Sequence, residues 1–225
     1  DTCVDDDNDG RGAGCDLGVD CLDSDPNTWA ACATCADGDS DGWFGGCDAY
    51  VNIKGEDCDD ADAWTHPEGL ELLADGVDSD CDGAELQVSD ATGVFVTLSG
   101  DDEMGDGTQA APFATITHAL SAPAVAGHRR IFVAGGTYEE GVFATVPVDI
   151  FGGFHPASWT WAPDVYPTVI TQVGTDWKET AVFHNQTVLQ GLEVRGPGAD
   201  NVFEGAHGKA VSMVSNGAKR VADCT

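Results

Sequence analysis

The sequence predicts a mostly β protein in two parts. Residues 1–90 form an acidic, cysteine-rich segment with little regular secondary structure, and residues 91–225 form an all-β domain. Three observations carry this expectation. Eight of the nine cysteines fall within residues 1–81. Residues 1–85 hold 25 Asp or Glu against only Arg11 and Lys54, a net charge of −23, whereas residues 86–225 hold 15 acids and 7 bases. Past Asp90 the composition turns to short apolar, β-branched runs bounded by Gly, Asn, Asp and Pro, the pattern of strands separated by turns.

Charge of this density, with few large apolar residues, denies the first segment an ordinary core. It is either disordered or neutralised by something cationic, and its regular Asp spacing favours the second. The negative field argues against nucleic acid, whose phosphates it repels, and against adsorption on anionic lipid. No apolar run approaches the ~20 residues that cross a bilayer, so direct membrane insertion is not expected. Dense cysteine in a segment without a core points to disulfides, an oxidising compartment, and an extracellular or outer cell-surface location. Cys32-Ala-Thr-Cys35 raises structural zinc as a rival, but the second close pair that zinc needs is missing.

The acids follow a repeat, C-x-D-x-D-x-D-G-x4-C-D, then a spacer, then D-C-x-D-x-D. The first copy runs from Cys3 to Asp25 and the second from Cys35 to Asp62. Calcium takes several hard oxygen ligands from alternating positions of a tight loop. Asp5, Asp7 and Asp9 occupy positions 1, 3 and 5 of the first loop, with Gly10 at the sharp turn, the Arg11 carbonyl at position 7 and Asp16 as closing acid at position 12. In the second loop these are Asp37, Asp39, Asp41, Gly42, the Trp43 carbonyl and Asp48. At least two Ca2+ ions are therefore expected. No helices flank the loops, so this is not an EF-hand. The D-C-x-D-x-D acids, Asp20, Asp23, Asp25 and Asp57, Asp60, Asp62, complete the same ions or hold separate ones. A third, weaker loop is Asp78-Ser-Asp80-Cys-Asp82-Gly83, which has Ser89 at position 12 and closes differently or through Asp75. The repeat suggests disulfides Cys3–Cys15 and Cys35–Cys47 around the loops, with Cys21–Cys32 and Cys58–Cys81 around the segments that follow. Eight cysteines allow 105 pairings.

The stretch from Asp57-Cys58-Asp-Asp60 through Pro67-Glu68-Gly69 to Asp75-Gly76-Val-Asp78-Ser-Asp80-Cys81-Asp82-Gly83 resembles the metal-binding repeats of MopE-like bacterial surface proteins. It departs from them at Ala74, where those repeats carry cysteine, and at Glu68-Gly69. The C-x-D-x-D-x-D-G half is also similar to thrombospondin type 3 calcium repeats. The resemblance covers about residues 1–85. It keeps copper open, since some relatives are linked to that metal. Hard carboxylates without a His or Met cluster favour calcium instead, and His66 reads as a loop residue rather than a ligand.

In the second part, the runs at Val94–Thr97, Ile131–Val133, Val146–Phe151, Thr168–Ile170, Val182-Phe183, Val188–Val194 and Val211–Val214 read as strands. Pro112–Leu120 reads as the one helix, with apolar residues at i, i+3 and i+7 and Pro near its start. Strand spacing alone leaves a sandwich, a barrel or a parallel β-helix. The words Gly107-Thr108 to Ile116, Ile131 to Glu139 and Ile150 to Phe154 then resemble the opening of right-handed parallel β-helix domains, of the pectin-lyase-like kind, in bacterial surface proteins. The resemblance implies a short right-handed parallel β-helix with one N-terminal capping helix, in which each run is one rung and about five or six rungs are expected over residues 93–216. The sequence closes at Ala-Asp-Cys224-Thr225 without an evident cap. Either the β-helix is incomplete at this end or another subunit covers it, with Cys224 an intermolecular disulfide or a free thiol.

No catalytic constellation stands out. Asp176, Lys178, Glu193, Arg195 and Asp200 form no repeated acidic face, His118, His128, His155, His184 and His207 are scattered, and Asn185-Gln-Thr187 is a formal glycosylation sequon. Trp159, Trp161 and Tyr166 cover the stack of strands or bind sugar. The expected function is that of a secreted or cell-surface, calcium-stabilised structural or adhesive protein, with self-assembly end to end into a filament or extracellular glycans as partners. A carbohydrate-binding or polysaccharide-degrading β-helix protein and a surface copper-binding protein are the alternatives.

Overall fold

The structure is a computed structural model describing residues 2–122, 130–144, 147–171, 181–184, 187–195, 211–214 and 219–222. The chain divides into two compact units, one of Asp1–Glu71 and Gly76–Glu85, the other of Leu72–Asp75 and Leu86–Thr225. The expectations placed on Lys178, Asp176, Asp200, His128, His207, Asn185 and Cys224 lie outside the described residues.

The first unit has neither helix nor multi-residue strand among its described residues. Isolated antiparallel bridges, Val4↔Ala13 and Ala36↔Gly45, clasp the two full loops at their necks. Disulfides Cys3–Cys15 and Cys35–Cys47 close those necks, and Cys21–Cys32 and Cys58–Cys81 staple the segments that follow, as the repeat suggested. Its buried residues are mostly polar, namely Asn27, Thr28, Asp57, Thr65, Glu71 and Ser79, with Trp43 as the large apolar exception. A unit with so little apolar burial leans on covalent staples and on whatever satisfies its acids.

The second unit is built from parallel strands. They are β1 (Val94–Val96), β2 (Arg130–Ala134), β3 (Gly136–Glu139), β4 (Val142–Phe143), β5 (Asp149–Phe154), β6 (Thr168–Thr171), β7 (Ala181–His184), β8 (Thr187–Gln190), β9 (Leu192–Arg195), β10 (Val211–Val214) and β11 (Lys219–Ala222). They form three sheets, ordered β1-β2-β5-β8-β11, β3-β6-β9 and β4-β7-β10. From β2 onward the chain visits the sheets in strict rotation, so every third strand returns to the same sheet. Each apolar run therefore supplies a strand to one sheet, except Val188–Val194, which supplies β8 to one sheet and β9 to the next. The first sheet is five strands deep and the others three. Registers run in line, as in Val94↔Ile131↔Ile150↔Leu189 and Tyr138↔Ile170↔Val194, apart from a shift between β2 and β5 past Phe132, where Ala134 pairs with Phe154.

Alternation along each strand splits the side chains of the first sheet between two environments. Val94, Val96, Ile131, Val133, Ile150 and Leu189 join Tyr138, Val142, Ile170, Leu192 and Val194 in one buried cluster. Phe95, Phe132 and Phe151 stack on the other side, with ring centroids 5.2 and 5.7 Å apart. Trp159 sits edge-on to Phe95 at 4.6 Å and is buried, so it covers this aromatic column. Buried this way, each Phe contributes about 1.5–3 kcal/mol.

The helix is shorter than the sequence pattern and starts later. It spans α1 (Ile116–Ser121), and Thr115 caps it by accepting the His118 N–H. Residues 112–115 stay out of the helix because Phe113 bridges in parallel to Val96 and because Asp102 accepts N–H from Ala114 and Thr115 and the Thr115 hydroxyl. Glu140 takes the next two helix N–H groups, those of Ile116 and Thr117. Ile116 and Ala119 are fully buried in the same cluster as Val94 and Ile131.

Candidate metal centre

The three acidic loops share one backbone. At position 4, Asn8, Ser40 and Cys81 have φ of 66°, 71° and 56°; at position 6, Gly10, Gly42 and Gly83 have φ of 92°, 94° and 94°. The position 6 values lie where a side chain is strained, which is why glycine recurs there. The hydrogen bonds repeat in the first two loops and, with the first bond one residue later, in the third. Asp5 accepts from Asn8 and Gly10, Asp37 from Ser40 and Gly42, and Asp78 from Asp82 and Gly83. Asp9 and Asp41 each accept, through Oδ1, the N–H of the position 7 residue, Arg11 or Trp43, at 2.7 Å. The third loop thus has the conformation of the complete ones despite its weaker sequence.

Each loop draws its carboxylates together. Oxygens of Asp5, Asp7 and Asp9 lie within 4.8 Å of one another, as do those of Asp37, Asp39 and Asp41, and those of Glu71, Asp78 and Asp80. Glu71 supplies the extra acid at the third loop, where Asp75 was the expected alternative, and it also accepts the N–H groups of Ser79 and Asp80. Asp82 accepts from Ala84. Asp20 lies equally close to the sulfurs of Cys21 and Cys32, but their disulfide leaves no thiolate to bind a metal.

The D-C-x-D-x-D acids divide the labour. The first acid of each, Asp20 or Asp57, turns to its loop. Asp57 is 7 % exposed, and burial together with the nearby Asp41, Asp39 and Asp60 pushes its carboxyl up. Burial likewise raises Asp7, reinforced by Asp9, Asp20 and Asp5, and Asp39, reinforced by Asp41, Asp37 and Asp60. The second acid binds loop backbone, Asp23 accepting from Asp6 and Asp60 from Gly38. The third, Asp25 or Asp62, caps a turn by accepting from Asn27 or Trp64.

The acids expected at position 12 lie outside the converging groups. Asp16 is exposed and outside the converging group. Asp48 Oδ2 instead accepts the N–H groups of Trp29, Ala30 and Ala31 at 2.7, 2.6 and 2.7 Å. Burial opposes ionisation there, but those three bonds and Arg11 prevail and hold Asp48 below the usual carboxylate range. Asp20 lies near enough to Asp7 to raise its carboxyl, and Asp57 near enough to Asp41 and Asp39 to be raised by them, and both come from the segment that follows the loop rather than from position 12.

Six carboxylate oxygens are buried without a hydrogen-bond partner among the described residues, the Oδ2 atoms of Asp7, Asp9 and Asp20 and of Asp39, Asp41 and Asp57. They fall into two sets of three, one per loop. Anionic oxygens shielded from water and left unpaired are unfavourable unless a cation satisfies them. An all-oxygen set with two or more net negative charges fits a hard divalent cation. His66 adds no nitrogen ligand, because its Nδ1 accepts the Glu68 N–H and its ring stacks on Trp43 with centroids 5.6 Å apart. Its Nε2 lies 3.9 Å from Asp41 Oδ2, beyond hydrogen-bond distance.

Some of the repeat escapes the sequence formula. Thr28 and Thr65 occupy matching places after the third acid, and both are buried. The next residue is a ring, Trp29 or His66, that packs on the position 7 side chain. Arg11 lies 4.3 Å from the Trp29 ring centre, and Trp43 stacks on His66. The matching residues differ in type, which hid the correspondence.

The family model of DUF1565, described as a protein of unknown function, matches residues 98–225. The chain belongs to the DUF1565 family. DUF1565 is a parallel β-helix-type family, and the match spans the second unit from just after β1. A second family model, Cu-binding_MopE, described as a "Putative metal-binding motif", matches residues 57–85 ahead of the DUF1565 portion. That match is narrower than the 1–85 of the sequence resemblance; it takes in Asp57, Glu71 and the third loop. No curated protein and no solved structure matches the chain.

Proposed function

We propose that the protein is a secreted or cell-surface structural or adhesive protein whose N-terminal unit folds around calcium and whose DUF1565 portion is a right-handed parallel β-helix serving as stalk, adhesive surface or assembly unit. The supporting observation is the two matched sets of buried, unpartnered Asp oxygens. Asp5, Asp7, Asp9 and Asp20 would hold one ion, and Asp37, Asp39, Asp41 and Asp57 the other; the bound cation neutralises the clustered carboxylates. For a unit with so little apolar burial, metal binding is folding. The rotation of strands among three sheets supports the β-helix reading.

Copper is the second reading, favoured by the Cu-binding_MopE match over residues 57–85. The oxygen-only donor sets and the engaged Nδ1 of His66 speak for calcium instead. Titration of the full chain with calcium, followed by elemental analysis after dialysis, tests the choice. At least two calcium ions per chain, removed by chelator, are expected. Stoichiometric copper retained in calcium-replete buffer would overturn the calcium reading and leave copper in its place.

A further inference from the structure

The first loop is braced by a residue of the second copy. Trp29 touches both walls of the first site. Its ring lies under the Arg11 guanidinium, and Arg11 donates its N–H to Asp9. Its carbonyl accepts the N–H of Cys21, the residue after Asp20. Trp29 is in turn held by Asp48, which takes the N–H groups of residues 29–31 on a single oxygen. Asp48 follows Cys47, whose disulfide to Cys35 closes the neck of the second loop. Asn27 completes the brace. It is 1 % exposed, its carbonyl accepts from Asp48 and Ala49, and its side chain accepts from Val51 and donates to Asn52.

We propose that Asp48 is a positioning residue for the first metal site, so that the two loops load as a coupled pair. This rests on the reading that the loops bind calcium. Ordering the second loop fixes the Cys47–Asp48 corner. Asp48 then fixes the 29–31 turn, and that turn sets the separation of Asp9 and Asp20. No ligand is shared between the sites. The coupling is carried by hydrogen bonds and one ring contact, and by linkage it acts equally in both directions.

A double-mutant cycle on the full chain tests this by calcium titration calorimetry. The second site is disabled by Asp39→Asn with Asp41→Asn, and affinity at the first site is then measured with Asp48 intact and with Asp48→Ala. With Asp48 intact, disabling the second site weakens the first by about tenfold. With Asp48→Ala, the first site is weakened already, and disabling the second changes it no further. Asp48→Asn, which keeps an acceptor oxygen but loses the charge, restores part of the coupling. First-site affinity that ignores the second site in the Asp48 protein would overturn the coupling while leaving calcium binding intact. Absence of calcium binding by the unmutated chain would overturn the metal reading itself. Disulfide mapping of each variant identifies any that has misfolded, and Asp48→Asn then carries the comparison in place of Asp48→Ala.

Discussion

Gln190 holds Leu73 by both of its backbone groups. The Leu73 N–H donates to Gln190 Oε1 at 2.7 Å, and Gln190 Nε2 donates to the Leu73 carbonyl at 3.0 Å. The two residues are 117 apart in sequence and both are buried. Gln190 stands in register with Phe151, at the point where the Phe95, Phe132, Phe151 column would otherwise continue. A polar side chain in that column pairs a stretch of backbone that belongs to no strand. Gln190→Leu keeps the volume but leaves two buried backbone groups unpaired, at a cost of about 3 kcal/mol. Urea unfolding together with amide exchange at Leu73 measures this, and unchanged exchange protection would show that the pair is dispensable.

Removing an acid proposed to close a loop should differ sharply from removing the one at position 12. Asp57→Asn takes a buried oxygen from the second loop and should weaken calcium there by about tenfold or more, since affinity follows ligand charge. Asp16→Asn, at an exposed carboxylate outside the converging set, should leave the first site within about twofold by the same ligand-count reasoning. Equal losses in the two variants would restore position 12 as the ligand.

Protons and metal compete for the same oxygens. In the metal-free unit Asp7, Asp39 and Asp57 have raised folded pKa values, so the folded state binds protons more readily than the unfolded one. Their contribution is greatest below the ordinary value of 3.8 and is lost as pH rises through the raised values. Chelated protein should therefore gain stability in the first unit as pH falls from neutral toward 4. Calcium-loaded protein should release metal over the same range. Thermal melts in chelator and in calcium, at stepped pH, will show opposite slopes if this is right.

The second unit should respond to acid in the opposite sense. Burial works against ionisation of Asp102, but the Thr115 hydroxyl and the Ala114 and Thr115 N–H groups outweigh it and lower its pKa. Its stabilisation is present above the unfolded value near 3.8 and fades as pH falls through the lower folded value. Asp102→Asn should flatten that acid limb. Thr115→Ala, which deletes the cap of α1, should cost about 1 kcal/mol at neutral pH. Acid titration of urea midpoints separates the two effects.

Chelation should melt the first unit before the second. The first has few buried apolar side chains and leans on its ions, whereas the second has a continuous apolar cluster of its own. Tryptophan fluorescence and β-sheet circular dichroism, followed together during chelator titration, should therefore part company. Coincident loss of both signals would make the acidic unit an integral part of the β fold.

The loops were legible in the sequence because ligand geometry dictates spacing over a few residues. Asp5, Asp7, Asp9 and Gly10 carry their conformation with them, and so do their counterparts at 37–42. The part Asp48 plays was not legible. Position 12 is an EF-hand expectation, and without a following helix Asp48 is drawn to the open N–H groups of residues 29–31 instead. The strands were visible as apolar runs, but their assignment to faces was not, since that depends on where corners such as Gly135 and Gly191 turn the chain. The helix was placed too early because Pro112 and Phe113 fit its periodicity, while Phe113 is paired with Val96 and Asp102 holds the next two residues, Ala114 and Thr115. Nothing local in Leu73 or Gln190 announces their pairing.

The four residues 72–75 lie between two acidic segments yet belong to the β unit. The chain therefore passes from one unit to the other at 71/72, back at 75/76 and across again at 85/86. A gene fragment cut at residue 86 would encode a β unit missing part of its own fabric, with both Gln190 bonds to Leu73 lost. Recombination that traded the acidic repeats as a cassette would have to carry a splinter of its neighbour with it. The two parts can be told apart by composition, but they cannot be inherited separately without one of them losing a piece.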